Sequence, residues 1–178
     1  SAELGGGIYT TGNLTIANST INGNSAEQSG GGIYNIGELT ITNSTISANS
    51  ALEAGAIFDD GVLTVVSSTV SGNNAQSAAG ILSDTGASTI HNTLVAGNVL
   101  RLGTALVTNV DGDFSESDIE GTISGQSNLI GSGGSGGLSD AVDGNIVLST
   151  PGVWANVVAT TLGPAGNAIP LLADNGGS

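Results

Sequence analysis

A repeat of 24 to 25 residues constrains the fold of this 178-residue chain more than any other feature of the sequence. The sequence GGGIY at positions 5–9 returns at positions 30–34, and weaker copies follow around Ile57 and Ile81. Four columns keep this spacing: Ile8, Ile33, Ile57, Ile81; Gly12, Gly37, Gly61, Gly86; Asn18, Asn43, Ser67, Asn92; and Asn24, Asn49, Asn73, Asn98. A period of this length over successive units is typical of a solenoid.

Within each unit, apolar residues alternate with polar ones, as in Leu14-Thr15-Ile16. This alternation predicts short β-strands, and the glycine and asparagine columns predict the corners between them. Strands joined so closely have no room to form hairpins, so each must pair with its equivalent in the next unit. The sequence therefore predicts an all-β, right-handed parallel β-helix (β-solenoid) with three short strands per coil and, at this period, about seven coils.

The repeat divides the chain into two parts. Residues 1–98 are predicted to form four regular coils, with the isoleucine columns stacked inside. Residues 99–178 are predicted to continue the same β-helix irregularly, with an acidic run at 111–120, a Gly/Ser loop at 132–137 and a C-terminal strand at Ala168–Leu172. The sequence shows no linker between the two parts, so we expect one continuous solenoid.

The asparagine columns are predicted to be structural. Asparagine tolerates a left-handed backbone at corners, and its amide can bond to the asparagines above and below. Both corner columns are therefore expected to form hydrogen-bonded ladders, made of Asn18, Asn43 and Asn92 at the first corner and of Asn24, Asn49, Asn73 and Asn98 at the second. Replacing one of these residues is expected to open a corner rather than to remove an activity.

Composition limits the partners. Lys and Arg together number 1 against 15 Asp and Glu, and the net charge is -14. Nucleic acid is not expected as a partner, because its phosphates are bound through basic side chains. The chain has no cysteine, which excludes disulfides and thiolate ligands. Its apolar runs are shorter than the ~20 residues that span a bilayer, so membrane insertion is not expected.

Two groups of acids are candidates for binding a cation. Asp60 and Asp84 hold equivalent positions in adjacent coils, and Asp111, Asp113, Glu116 and Asp118 lie in the acidic run. Oxygen ligands at such spacing suit calcium, although the run lacks the full EF-hand pattern. Solvated acidic surfaces are the alternative reading, and no other cofactor is expected.

Catalysis is not predicted. Lyases that act on acidic polysaccharides need basic groups, and this chain offers only Arg101 and His91. Asp60 and Asp84 are the best catalytic candidates, but the sequence places no histidine or arginine in register with them. A polysaccharide-active enzyme is therefore the least favoured alternative.

The start of the sequence is already in phase with the repeat, since Ser1-Ala2 aligns with Ser25-Ala26. A first coil without a cap would present unpaired strand edges. Two explanations are open: the chain is part of a longer protein, or another molecule covers this edge. On the second explanation we expect copies to stack end to end into a fibre or surface layer.

The unit GGGIYNIGELTITNSTISANSA at positions 30–51 resembles the repeats of bacterial extracellular right-handed parallel β-helix proteins. Its GGxI and xxxN halves are similar to repeats of the polymorphic outer-membrane adhesins. The resemblance implies bacterial-type secretion, an extracellular or cell-surface location and a structural or adhesive role, without implying a reaction. An adhesin passenger or stalk segment that binds a glycan or a protein is the main alternative to a structural filament.

Overall fold

A computed structural model describes residues 2–100, 117–131, 133–148, 159–162 and 168–171. Every regular element in these ranges is a β-strand. The strands are β1 (Ala2–Leu4), β2 (Ile8–Thr10), β3 (Asn13–Ala17), β4 (Thr20–Asn22), β5 (Ala26–Ser29), β6 (Ile33–Asn35), β7 (Glu38–Thr42), β8 (Thr45–Ser47), β9 (Ile57–Asp59), β10 (Val62–Val66), β11 (Thr69–Ser71), β12 (Asn74–Ala75), β13 (Ile81–His91), β14 (Leu94–Ala96), β15 (Val99–Leu100), β16 (Ile119–Gln126), β17 (Leu129–Ile130), β18 (Ile146–Val147), β19 (Ala159–Leu162) and β20 (Ala168–Leu171).

The predicted fold is confirmed: the chain is an all-β solenoid of stacked coils, with about four turns in the described part. Two parallel sheets run along the stack. Sheet 1 has the order β2-β6-β9-β13-β10-β7-β3, and sheet 2 has the order β18-β17-β14-β11-β8-β4. Beyond the three strands per coil that the repeat predicts, a fourth segment closes each regular coil through the pairs β1–β5 and β12–β15 and through isolated bridges such as Ser25 with Ser50.

Equivalent residues of successive coils pair in register, as the repeat predicts. In sheet 1, Ile8 pairs with Ile33, Ile33 with Ile57, and Ile57 with Ile81. These isoleucines and the other inward aliphatic columns form one core, and Ile33, Ile57 and Ile81 are fully buried. Burial of such a side chain stabilises the fold by about 1.5–3 kcal/mol, so each repeated column contributes in every coil.

Glycine at the start of the coil is required by close approach of the backbone. A Cβ added at Gly31 would lie 2.4 Å from the carbonyl oxygen of Ser50 and 2.5 Å from that of Gly55. The residue before this position has a positive φ in all four regular coils, where Gly5, Gly30, Ala54 and Ala78 stand. The GGG sequence therefore marks a place where the backbones of successive coils approach closely.

The stack continues irregularly after the fourth coil. Strand β16 pairs with β13 through a register shift between Ser83 and Ser88, β17 pairs with β14, and β18 pairs with β17. Strand β20 begins at Ala168, where the sequence predicts a strand, but it pairs with β19 antiparallel. Most of the acidic run lies outside the described residues, and so does part of the expected seven coils.

Candidate functional site

The second-corner asparagines form a continuous hydrogen-bonded ladder from coil to coil. The backbone N and side-chain Nδ2 of Asn24 both donate to Oδ1 of Asn49, at 2.9 and 3.0 Å. Asn49 donates in the same way to Asn73, and Asn73 to Asn98. Each buried amide also donates to a carbonyl of the preceding coil, as Nδ2 of Asn49 does to Ile21 at 3.0 Å. The ladder therefore joins the coils through both backbone and side-chain donors.

This ladder ends at a carboxylate. Backbone N and Nδ2 of Asn98 donate to Oδ1 of Asp118 at 3.1 and 2.8 Å, and the amide of Gly133 donates to Oδ2 at 3.2 Å. Asp118 is fully buried. A carboxylate only accepts, and charge-assisted bonds of this kind are the strong ones. The N–H groups at the end of the ladder thus donate to the Asp118 carboxylate, which can only accept.

The structure accordingly places one of the predicted cation ligands in the corner ladder. Asp118 follows Asn98 by 20 residues instead of 24 or 25. Because of this shorter spacing, the repeat in the sequence does not show that Asp118 belongs to the column. The other predicted ligands of the acidic run, Asp111, Asp113 and Glu116, lie outside the described residues.

At the first corner two neighbouring residues share the roles that the sequence assigns to one. Asn18, Asn43 and Asn92 have φ between 48° and 50° and are exposed. The ladder runs through the residues that follow this column. The backbone N–H groups of Ser19, Ser44, Ser68, Thr93 and Asn128 donate to the side-chain oxygens of Ser44, Ser68, Thr93, Asn128 and Asn145, respectively, and all of these residues except Ser19 are buried. Asparagine therefore supplies the left-handed backbone, and its neighbour supplies the regular coil-to-coil bond. Within the predicted column itself, Nδ2 of Asn92 donates to Oγ of Ser67 at 3.1 Å.

The acids in the third and fourth coils divide between the inside and the outside of sheet 1. Asp59 is fully buried and accepts hydrogen bonds from Nδ2 of Asn35 and Oγ of Ser88, both at 2.6 Å. Asp60 and Asp84, the second predicted cation pair, are exposed in adjacent coils. In the described ranges, no group of three or more His, Cys, Asp or Glu side chains is arranged to hold a metal ion.

An aromatic column that the sequence interpretation missed lies on the outer face of sheet 1. The ring centroids of Tyr9 and Tyr34 lie 5.3 Å apart, and those of Tyr34 and Phe58 lie 4.6 Å apart. The planes agree within 4° and 1°, respectively, so the three rings form a parallel stack. We call Tyr9, Tyr34 and Phe58 the aromatic stripe. Its signal is visible in the sequence, since each ring follows directly after an isoleucine of the repeat.

The surroundings of the aromatic stripe act on the middle ring. Burial raises the pKa of Tyr34 above 10.0, and the charges of Tyr9, Asp60, Glu53 and Asp84 raise it further, in that order. Each of these charges disfavours a phenolate beside it. The stripe is therefore an aromatic surface in a negative electrostatic environment.

A shallow groove of about 190 Å³ crosses the fourth segments of the first three coils. It is lined by Ser25, Ala26, Glu27, Ser50, Ala51, Leu52, Asn74 and Gln76. Ligand pockets usually measure about 300–1,000 Å³, so this groove is smaller than the pockets that enclose small molecules.

Comparison with family models, with curated proteins and with solved structures found no match to this chain. Across the part of the chain that the structure describes, no helix has the length and apolar character that a membrane crossing requires.

Proposed function

We propose that this protein is a non-catalytic structural β-solenoid, a rod at the cell surface or outside the cell that lengthens by adding coils at its end. The coil-to-coil ladder of the second corner is the observation that carries this proposal. The polar side chains that repeat most strictly, Asn49, Asn73 and Asn98, are fully buried and use their amides to join successive coils. Side chains that are buried and join successive coils have a structural role, which supports the interpretation of the repeat as a scaffold.

The same bonding pattern supports lengthening at one end. Strands β2, β3 and β4 are terminal in the strand orders of their sheets. In sheet 2, the N–H groups of Thr45, Thr69 and Leu94 each donate to a carbonyl of the preceding coil. Thr20 is the equivalent residue of the first coil, so its N–H is directed toward the place of an added coil. Another copy of the chain, or further residues of a longer chain, could pair there in the same register.

The proposal is tested by blocking this edge. Thr20→Pro removes the N–H that would bond to an added coil, and proline is tolerated on edge strands. Thr20→Ala is the matched control, because it shortens the same side chain and keeps the N–H group. Circular dichroism establishes that both variants keep the fold.

Sedimentation velocity and electron microscopy then measure assembly as a function of protein concentration. We expect the unmodified chain and Thr20→Ala to form end-to-end assemblies, and Thr20→Pro to form shorter ones or none. The proposed lengthening is refuted if the unmodified chain stays monomeric at high concentration, or if Thr20→Pro assembles as well as Thr20→Ala.

A further inference from the structure

The aromatic stripe offers a surface that the structural role does not use. Tyr9 is 51% exposed although it stacks on Tyr34, and Tyr34 and Phe58 are half-buried. Leu82, which pairs in register with Phe58, continues the stripe into the fourth coil. Aromatic and aliphatic side chains in adjacent coils thus form an apolar ridge along the outside of sheet 1.

Carboxylates lie on both sides of this ridge. Asp84 follows Leu82 by two residues within β13, a spacing that puts both side chains on the same face of the strand. Asp60 follows Phe58 by two residues, in the bend directly after β9, and is exposed. Glu53, in the fourth segment on the other side, accepts a hydrogen bond from Oγ of Ser29 at 3.1 Å. All three carboxylates contribute to the raised pKa of Tyr34, after burial and Tyr9.

This combination selects a positively charged partner. The single basic residue of the chain, Arg101, lies outside the described residues, so lysine and arginine are absent from the surface that the structure describes. Asp60 and Asp84 occupy adjacent coils, about 5 Å apart at the strand spacing of a sheet. A planar guanidinium can bridge two carboxylates at this separation and lie against aromatic side chains, whereas an ammonium is a compact, strongly hydrated charge.

We propose that the aromatic stripe, with Asp60, Asp84 and Glu53, is a docking surface for an arginine-bearing segment of a basic partner protein. The inference rests on charge complementarity and on the juxtaposition of rings and carboxylates. It is independent of end-to-end assembly, since it concerns the outer face of sheet 1 and not the coil edge.

The test compares hexa-arginine with hexa-lysine, two peptides of equal charge, by isothermal titration calorimetry at physiological ionic strength. We expect hexa-arginine to bind about two- to five-fold more tightly, the advantage that an exposed cation–aromatic contact gives. Phe58→Leu, which installs the residue that the fourth coil has at this place, is expected to remove most of that preference while keeping the apolar ridge.

Two double variants with the same change in net charge separate a local site from general attraction to an acidic protein. Asp60→Asn/Asp84→Asn is expected to weaken hexa-arginine binding by about five-fold, the loss of two exposed ion pairs. Asp140→Asn/Asp143→Asn, on an exposed loop in the irregular part, is expected to change it by less than about two-fold.

Three results would overturn the proposal: no measurable binding of hexa-arginine, equal affinity for the two peptides, or equal weakening by the two double variants. The last result would show that hexa-arginine responds only to net charge. Circular dichroism of every variant keeps a folding defect from being read as a loss of binding.

Discussion

The contrast between the two corner columns leads to the sharpest prediction for stability. We expect Asn73→Gly to destabilise the solenoid strongly and Asn43→Gly to leave its stability nearly unchanged. The two changes delete the same side chain at the two corners of neighbouring coils. They differ in what that side chain does, because Asn73 is fully buried in the second-corner ladder and Asn43 is exposed with φ of 48°.

The magnitude follows from the bonds that each change removes. The side chain of Asn73 accepts from N and Nδ2 of Asn49, both at 3.0 Å, and donates to Oδ1 of Asn98 at 2.9 Å and to the carbonyl of Ile46 at 3.0 Å. Its removal deletes these four buried hydrogen bonds. The net contribution of each is about 0.5–1.5 kcal/mol, so the expected loss is about 2–6 kcal/mol.

At Asn43 the backbone conformation decides the outcome. Glycine adopts a positive φ without steric cost, and an exposed change of this kind usually alters stability by less than about 0.5 kcal/mol. Urea unfolding followed by circular dichroism gives the free energy of unfolding of both variants. Similar m-values are required for a valid comparison, since solenoids can unfold in segments. Equal destabilisation by the two variants, within about 0.5 kcal/mol, would refute the assignment of the ladder to the second corner.

Three further changes test other parts of the structure. Asp118→Asn replaces a carboxylate that accepts from Gly133 by a group with a competing donor, so we expect a loss of about 1–3 kcal/mol in urea unfolding. In Tyr9→Phe, Tyr34 is the remaining tyrosine, and its phenolate absorbance should titrate with a midpoint above 10.0. Because the fold favours the neutral phenol, the stabilisation from Tyr34 is present below pH 10 and is lost as the pH rises through the raised pKa. Gly31→Ala places a Cβ 2.4 Å from a backbone oxygen, and we expect overpacking to cost about 1–3 kcal/mol in thermal or urea unfolding.

The repeat was sufficient to predict the solenoid because residues in the same column have the same environment in each coil, either buried in the core or at a corner. Ile33 and Ile57 pair in register inside sheet 1, and the first-corner asparagines adopt the left-handed backbone that favours this residue. A local pattern that recurs four times fixes both strand position and register, since a shift of one residue would turn the buried side chains outward.

Other features depend on orientation or on contacts that periodicity does not specify. At the first corner Asn43 and Ser44 recur with the same period, so spacing alone does not reveal which of the two faces the interior. Asp59 and Asp60 present the same ambiguity, and the structure buries the first and exposes the second. Asp118 occupies the next position of the second-corner ladder after Asn98, but it follows Asn98 by 20 residues instead of 24 or 25. The spacing of the repeat therefore does not reveal it.

Residue-resolved amide hydrogen exchange of the native chain tests the central claim most directly, namely that the second-corner asparagines are structural and join the coils. The account predicts that the backbone amides of Asn49, Asn73 and Asn98 exchange as slowly as those of the paired strands in sheet 1, with protection approaching the free energy of global unfolding. Exchange of these three amides at the rate of an unstructured peptide, in a chain whose sheet 1 remains protected, would contradict it.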